Sequence, residues 1–360
     1  MALEFAQRIR RIPSYPVASG YDLGADVAML ASNESCFGPL PSVVEAATKV
    51  ISGANRYPDP SYSPLRDAVA QRHGISPERV ALGNGSCDIL LAAGEALLEP
   101  GAEVLYAWPA FSVYPHLAAS SGARAIEVPL DAEDRHDLDA MANEVTIATR
   151  LVLICNPNNP TSTAVGLDQV EALLERIPSH VCVILDEAYA EYSLTLGDTY
   201  ASVELVRRWP NLVLLRTFSK VYGLAALRAG YALCGSADFR IAVDQVRQPF
   251  HLNAAAQAGA VEALRHQDEV ERRVTQTLAE RMSLVDGLER LGLWVAQSDA
   301  NFVWVRLPEE LDEGEVVGGL VERGVLVRAG RSLGRESALR VTVGTATENE
   351  RLVGALGELV

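Results

Sequence analysis

Leu212-Val213-Leu214-Leu215-Arg216-Thr217-Phe218-Ser219-Lys220 starts as an unbroken apolar run and ends in two hydroxyls and an amine. Alternate side chains of a strand point to opposite faces, so a run that is apolar throughout has both faces covered. Similar runs occur at 79–82, 103–107, 125–128, 151–155, 181–185 and 230–234, with helical patterns between most of them, for instance 88–98 and 167–176. This alternation predicts an α/β fold: a mostly parallel central sheet with helices on both faces. Beyond it an amphipathic helix is expected over 268–291, with Val270, Val274, Leu278, Met282 and Val285 on its buried stripe and Gly292 as its stop. The tail reads as α+β, with strands at 300–307, 325–329 and 338–343 and helices at 313–323 and 348–359. We therefore expect a large α/β domain over 40–255 and a smaller α+β domain over 256–360, completed by the N-terminal segment 1–39.

The length of 360 residues suits two such units, taking about 150 residues per domain. A formal charge of −16 argues against nucleic acid or an anionic membrane as partner, since either wants a basic face. No apolar run approaches the ~20 residues that span a bilayer. The charged, amphipathic start (Met1 to Arg11) does not resemble a secretory signal, so the expected location is cytoplasmic. The cysteines, 36, 87, 155, 182 and 234, stand singly, without C-x-x-C or metal-type histidine spacing; neither disulfide nor metal is expected. Of 31 Lys+Arg residues only Lys49 and Lys220 are lysines. An amine can deprotonate and attack a carbonyl, which a guanidinium cannot. Lys49 sits in a helix-like stretch with a solvent-facing pattern, which leaves Lys220.

In an open parallel sheet, ligands bind beyond the carboxyl ends of the strands. Four polar segments follow apolar runs. Gly83-Asn84-Gly85-Ser86-Cys87-Asp88 opens a helix and suits an anion held on free N–H groups, although Asn-Gly is equally a plain turn signal. Asn156-Pro157-Asn158-Asn159-Pro160-Thr161-Ser162 presents three amides on a stiff loop. Asp186-Glu187-Ala188-Tyr189 could end a Walker B strand, but the chain has no Gly-Lys dipeptide for the phosphate loop that reading needs. Thr217-Phe218-Ser219-Lys220, with Arg228 beyond it, suits a phosphate beside a reactive lysine. Together they provide what an aldehyde cofactor with a pyridine ring and a phosphate needs: a lysine, a carboxylate for the ring nitrogen, donors for the phenolic oxygen, and a phosphate cradle.

With these segments, the sequence resembles the fold-type-I aminotransferases dependent on pyridoxal 5′-phosphate, and within them the histidinol-phosphate aminotransferase branch. The resemblance spans essentially the whole chain: Leu30-Ala31-Ser32-Asn33-Glu34, Asn55-Arg56-Tyr57-Pro58, Asn158-Asn159-Pro160-Thr161, Asp186-Glu187-Ala188-Tyr189, Ser219-Lys220, and Arg340-Val341-Thr342-Val343-Gly344-Thr345. It implies that Lys220 carries the cofactor as a Schiff base, that Asp186 pairs with the pyridine nitrogen, and that Asn159 and Tyr189 reach the phenolic oxygen. It implies a phosphate held by Ser86, Cys87, Thr217, Ser219 and Arg228, and a ring stacked on Phe111. Tyr57 matches a residue that reaches the phosphate of a neighbouring subunit, implying a homodimer with shared sites. Tyr15, Asn33, Arg328 and Arg340 fall at substrate-binding positions.

Arg328, Arg331, Arg335 and Arg340 cluster in a strongly acidic chain, and arginine binds phosphate and carboxylate in bidentate geometry. The resemblance assigns the first and last to substrate; the middle two read equally as salt-bridge partners. The implied reaction moves an amino group between L-histidinol phosphate and 2-oxoglutarate, a step of histidine biosynthesis. Aromatic amino-acid aminotransferases of the same branch share much of this sequence, and decarboxylases of phosphorylated amino acids share the fold. The chain departs from the branch's usual pattern at Ser162, where glycine is common, at Cys87-Asp88, and at Ser35-Cys36-Phe37.

Overall fold

The computed structural model describes residues 3–5, 7–12 and 26–360. Tyr15 lies outside them.

The apolar runs form one seven-stranded sheet. Numbering from the short strand β1 (Ala28–Met29), its members are β2 (Val80–Gly83), β3 (Glu103–Trp108), β4 (Arg124–Pro129), β5 (Thr149–Cys155), β6 (Cys182–Asp186), β7 (Leu212–Thr217) and β8 (Gly230–Cys234). They lie in the order β2-β8-β7-β6-β5-β3-β4. Only β8 runs opposite to the other six strands. Successive side chains divide between two cores, as strands covered on both faces require. Val152, Ile154, Val183, Leu185, Leu212 and Leu214 face one, and Leu151, Leu153, Ile184, Val213 and Leu215 the other. Each such leucine or valine contributes roughly 1.5–3 kcal/mol by leaving water.

A second sheet has the order β12-β13-β10-β9, built from β9 (Trp294–Val295), β10 (Phe302–Arg306), β12 (Arg328–Ala329) and β13 (Ala338–Thr342). The predicted strand over 325–329 is in fact two. β11 (Val325–Leu326) pairs in parallel with β1, while β12 pairs with β13, so the chain changes sheets at Val327. Hydropathy does not register this break, because both halves are buried.

The long helix runs over Gln267–Arg290; Val270, Val274 and Val285 pack against the cores as the apolar spacing predicts, but the buried face takes in more than that stripe. Met282 is 69% exposed, and Arg273, Thr277, Arg281, Leu284 and Leu288 face inward. Arg273 donates to the carbonyls of Gly38 (2.8 Å) and Val221 (3.3 Å), and Arg281 to those of Ala300 (2.8 Å) and Tyr192 (3.2 Å). Loop carbonyls without a ladder partner need donors, and a guanidinium supplies five. Two charged residues are thus buried for their hydrogen bonds. Arg273 thereby pins the segments that follow Lys220 and Asn33.

Candidate functional site

Strand register brings the polar segments together. Cys155 lies opposite Asp186, Asp186 opposite Leu215, Thr217 opposite Gly230, and Gly230 opposite Gly83, giving a row staggered by two residues along the carboxyl edge of the sheet. Over this row opens a cavity of about 340 Å³. Its walls include Ser86, Cys87, Phe111, Asn159, Asp186, Tyr189, Thr217, Ser219, Lys220 and Arg228 from the large sheet's side. Asn33, Arg328 and Arg340 close it from the other side. Tyr57 is not part of it: the ring is 80% exposed and stacks on Phe250 at 4.5 Å.

One end of the cavity is built for an anion. The helix Ser86–Leu97 starts without a side-chain cap, so its first N–H groups carry the positive end of the dipole. Gly85 has φ +80°, and a β-carbon there would collide with the Arg228 guanidinium; one at Gly230 would strike the Ser86 backbone. Gly230 is required by close approach of backbone, and Gly85 by its positive φ. Arg228 has a left-handed backbone (φ +60°) and donates to the Ala225 carbonyl (2.8 Å) and Ser219 Oγ (3.4 Å). Thr217 Oγ1 accepts from the Ser219 N–H at 3.0 Å. Burial pushes the Cys87 thiol up to about 11, so it stays protonated at neutral pH and only its backbone suits an anion.

At the other end stand an amine and a carboxyl, each shifted toward its neutral form. Burial, then the Arg340 guanidinium, brings Lys220 down to about 7, against the opposing pull of Glu34. Its Nζ donates to the carbonyls of Asn33 (2.9 Å) and Ser32 (3.4 Å). Burial raises Asp186 to about 6, partly offset by Tyr114, whose hydroxyl donates to Oδ2 at 3.2 Å, and by the Ala188 N–H on Oδ1 at 3.3 Å. A cation placed against Asp186 would restore its ionisation. Burial pushes the Tyr189 phenol well up, with Arg340 and Asn33 acting the other way.

The stiff loop after β5 does not present three amides. Asn156 closes on the Val165 backbone, and Asn158 binds His136, the Pro109 carbonyl and Thr161. Asn159 alone faces the cavity, its Oδ1 accepting from Arg340 Nη1 at 2.7 Å. Ser162 has φ +61°, a conformation that favours glycine, and its buried hydroxyl has no hydrogen-bond partner among the described residues.

The arginine cluster divides. Arg328 and Arg340 are opposite each other on β12 and β13, buried, and line the cavity. Arg340 Nη2 also donates to the Ala31 carbonyl at 2.6 Å. Arg335 instead pairs with Asp134 at 2.7 Å and Arg331 with Glu336 at 3.4 Å. Tyr114 escaped sequence reading. It starts a helix three residues past Phe111, not at a strand end, and nothing local marks its hydroxyl as bound for Asp186.

Known proteins resemble the chain along nearly all its length. The family model for aminotransferase class I and II matches residues 25–356. An aromatic amino acid aminotransferase of Thermobifida fusca is 45% identical over 90% of this chain and 88% of its own. A histidinol-phosphate aminotransferase 2 of Ralstonia nicotianae is 41% identical over 99% of this chain and 97% of its own. Among solved structures, a histidinol-phosphate aminotransferase from Sinorhizobium meliloti in complex with pyridoxal-5′-phosphate superposes with a TM-score of 0.87. It is 28% identical and covers 100% of this chain and 98% of that one.

Proposed function

The chain belongs to the class I and II aminotransferases and uses pyridoxal 5′-phosphate, and from that premise we propose that it moves an amino group between L-histidinol phosphate and 2-oxoglutarate. The observation that carries this reading is the pair of arginines, Arg328 and Arg340, on adjacent strands facing Lys220 across one cavity. Two guanidiniums suit a phosphate ester in one half-reaction and a dicarboxylate in the other.

Bound here, the cofactor supplies an aldehyde that joins to amines and a ring that withdraws electrons from the substrate's α-carbon. The close-packed cradle of Gly85, Gly230 and Arg228 fits its phosphate, with Ser86, Thr217, Ser219 and the Cys87 backbone as further holders. The buried Asp186 would pair with the ring nitrogen and keep it protonated. Asn159 and Tyr189 would bind the phenolic oxygen, and Phe111 would stack on the ring. Lys220 would hold the aldehyde carbon. As a free amine it would move the proton to and from the substrate's α-carbon, a role that a pKa of about 7 suits because either form is available at neutral pH.

This reading extends to a homodimer, in which Tyr57 of a second copy reaches the phosphate; its exposure, away from the cavity of its own chain, supports that. It also includes Tyr15 beside the substrate, the division into 40–255 and 256–360 completed by 1–39, and a cytoplasmic place in histidine biosynthesis. No helix among the described residues is long and apolar enough to cross a membrane.

The second reading, an aromatic amino-acid aminotransferase, is favoured by the name of the Thermobifida fusca relative. Steady-state kcat/KM with 2-oxoglutarate, comparing histidinol phosphate with phenylalanine and tyrosine as donors, decides between them. A clear preference for phenylalanine removes the histidine-pathway assignment.

A further inference from the structure

The resemblance puts Asn33 at the substrate, yet in the structure its groups are committed elsewhere. It is 1% exposed and has φ +52°, a left-handed conformation that asparagine tolerates better than most residues. Its side-chain Nδ2 donates to the Tyr189 hydroxyl at 3.2 Å, and Oδ1 accepts from Thr342 Oγ1 at 3.3 Å. Its N–H donates to Thr342 Oγ1 at 2.9 Å. Its carbonyl accepts from Lys220 Nζ at 2.9 Å and from Asn301 Nδ2 at 3.3 Å.

We propose that Asn33 is a positioning residue that holds the Tyr189 hydroxyl and the Lys220 amine in place and ties both to the strand bearing Arg340. The proposal rests on the roles given above to Lys220 and Tyr189. The left-handed turn directs the carbonyl at Lys220, and the same residue's amide reaches Tyr189, so one backbone conformation sets both groups. Thr342 lies two residues beyond Arg340 on β13. A shift of that strand would reach Tyr189 through a single side chain. Donation from Nδ2 to the phenol oxygen also makes Tyr189 the stronger donor to whatever accepts from it.

The test is a double-mutant cycle in cofactor-loaded protein. Asn33→Gly keeps the left-handed backbone and removes the amide; Asn33→Asp keeps the shape and removes the donor, and serves the same cycle if the glycine variant fails to fold. Each is made alone and with Tyr189→Phe. The expected result is a three- to tenfold loss of kcat, on the order of one hydrogen bond, with KM for donor and acceptor changed by less than about twofold. Added to Tyr189→Phe, the same substitution should cost almost nothing. The pH midpoint of the protein's visible band should rise in Asn33→Gly, which adds no charge, because Tyr189 then donates more weakly. Losses that add to those of Tyr189→Phe, a loss carried in KM, or an unmoved midpoint would overturn the proposal. Borohydride trapping separates this from failure of the underlying reading. If wild-type Lys220 is not labelled, the site roles fall and the proposal with them. If it is labelled in every variant while cycle and midpoint stay flat, only the proposal falls.

Discussion

Lys220 should behave as an amine that is half neutral near pH 7, and the lysine content of the chain makes this measurable. Burial is the largest cause, the Arg340 and Arg228 cations add to it, and Glu34 and Asp186 oppose it, leaving Lys220 at about 7. An ordinary lysine amine, with a pKa near 10.4, is neutral in roughly one copy in 2,500 at pH 7. The reactive fraction at Lys220 is therefore larger by about a thousandfold. Trace acetic anhydride applied to the apoprotein from about pH 5 to about pH 10, followed by peptide mapping, reads this directly. Lys49, exposed at the end of the helix Pro41–Lys49, is the only other lysine and normalises the reagent. Acetylation of Lys220 should level off above about pH 8. Arg340→Met should move the midpoint up, since a like charge is removed, and Glu34→Gln should move it down. Labelling of Lys220 that keeps climbing through about pH 9, or a downward shift in Arg340→Met, would refute the reasoning.

Linkage gives the sign for stability: folded Lys220 binds fewer protons than unfolded between about pH 7 and the ordinary lysine value, so its cost is full below that window and fades as pH rises. Lys220→Met should therefore raise the apoprotein's melting temperature more at about pH 6 than at about pH 9, as calorimetry would show. Ser162→Gly should stabilise by about 1–2 kcal/mol in urea titrations. It removes left-handed strain of about 1–2 kcal/mol and an unpaired buried hydroxyl, less the ~0.5–1 kcal/mol of extra freedom that glycine adds to the unfolded chain. Asp186→Ala should weaken cofactor binding and slow proton abstraction, each on the order of a hundredfold, read by fluorescence titration and single-turnover absorbance. Arg340→Ala should raise KM for glutamate with little change in circular dichroism; unchanged glutamate kinetics would count against its role.

Much of the site was legible because its chemistry sits at strand ends, and strand ends are marked where an apolar run stops. Asp186, Asn159, Thr217, Ser219 and Lys220 are all found this way, and Arg228 follows from its closeness to Lys220. The failures share a cause. The buried face of Gln267–Arg290 leaves out Met282 and takes in Arg273 and Arg281, which hydropathy ranks as outward residues, because loop carbonyls far away in sequence demand their donors. Asn156 and Asn158 look equivalent to Asn159 until the loop closes on Val165 and His136.

The sequence by itself determined the α/β architecture, the lysine and the acid, since periodicity and residue type are local properties that no packing can alter. Only the tertiary structure decided how these groups are tuned and which arginines count. Burial shifts Lys220 and Asp186 toward each other in pKa, Tyr114 and Asn33 arrive from distant segments, and register across β12 and β13 turns Arg328 and Arg340 to the cavity while Asp134 takes Arg335. Desolvation and strand register depend on atoms remote in the chain, and a one-dimensional pattern holds no record of them.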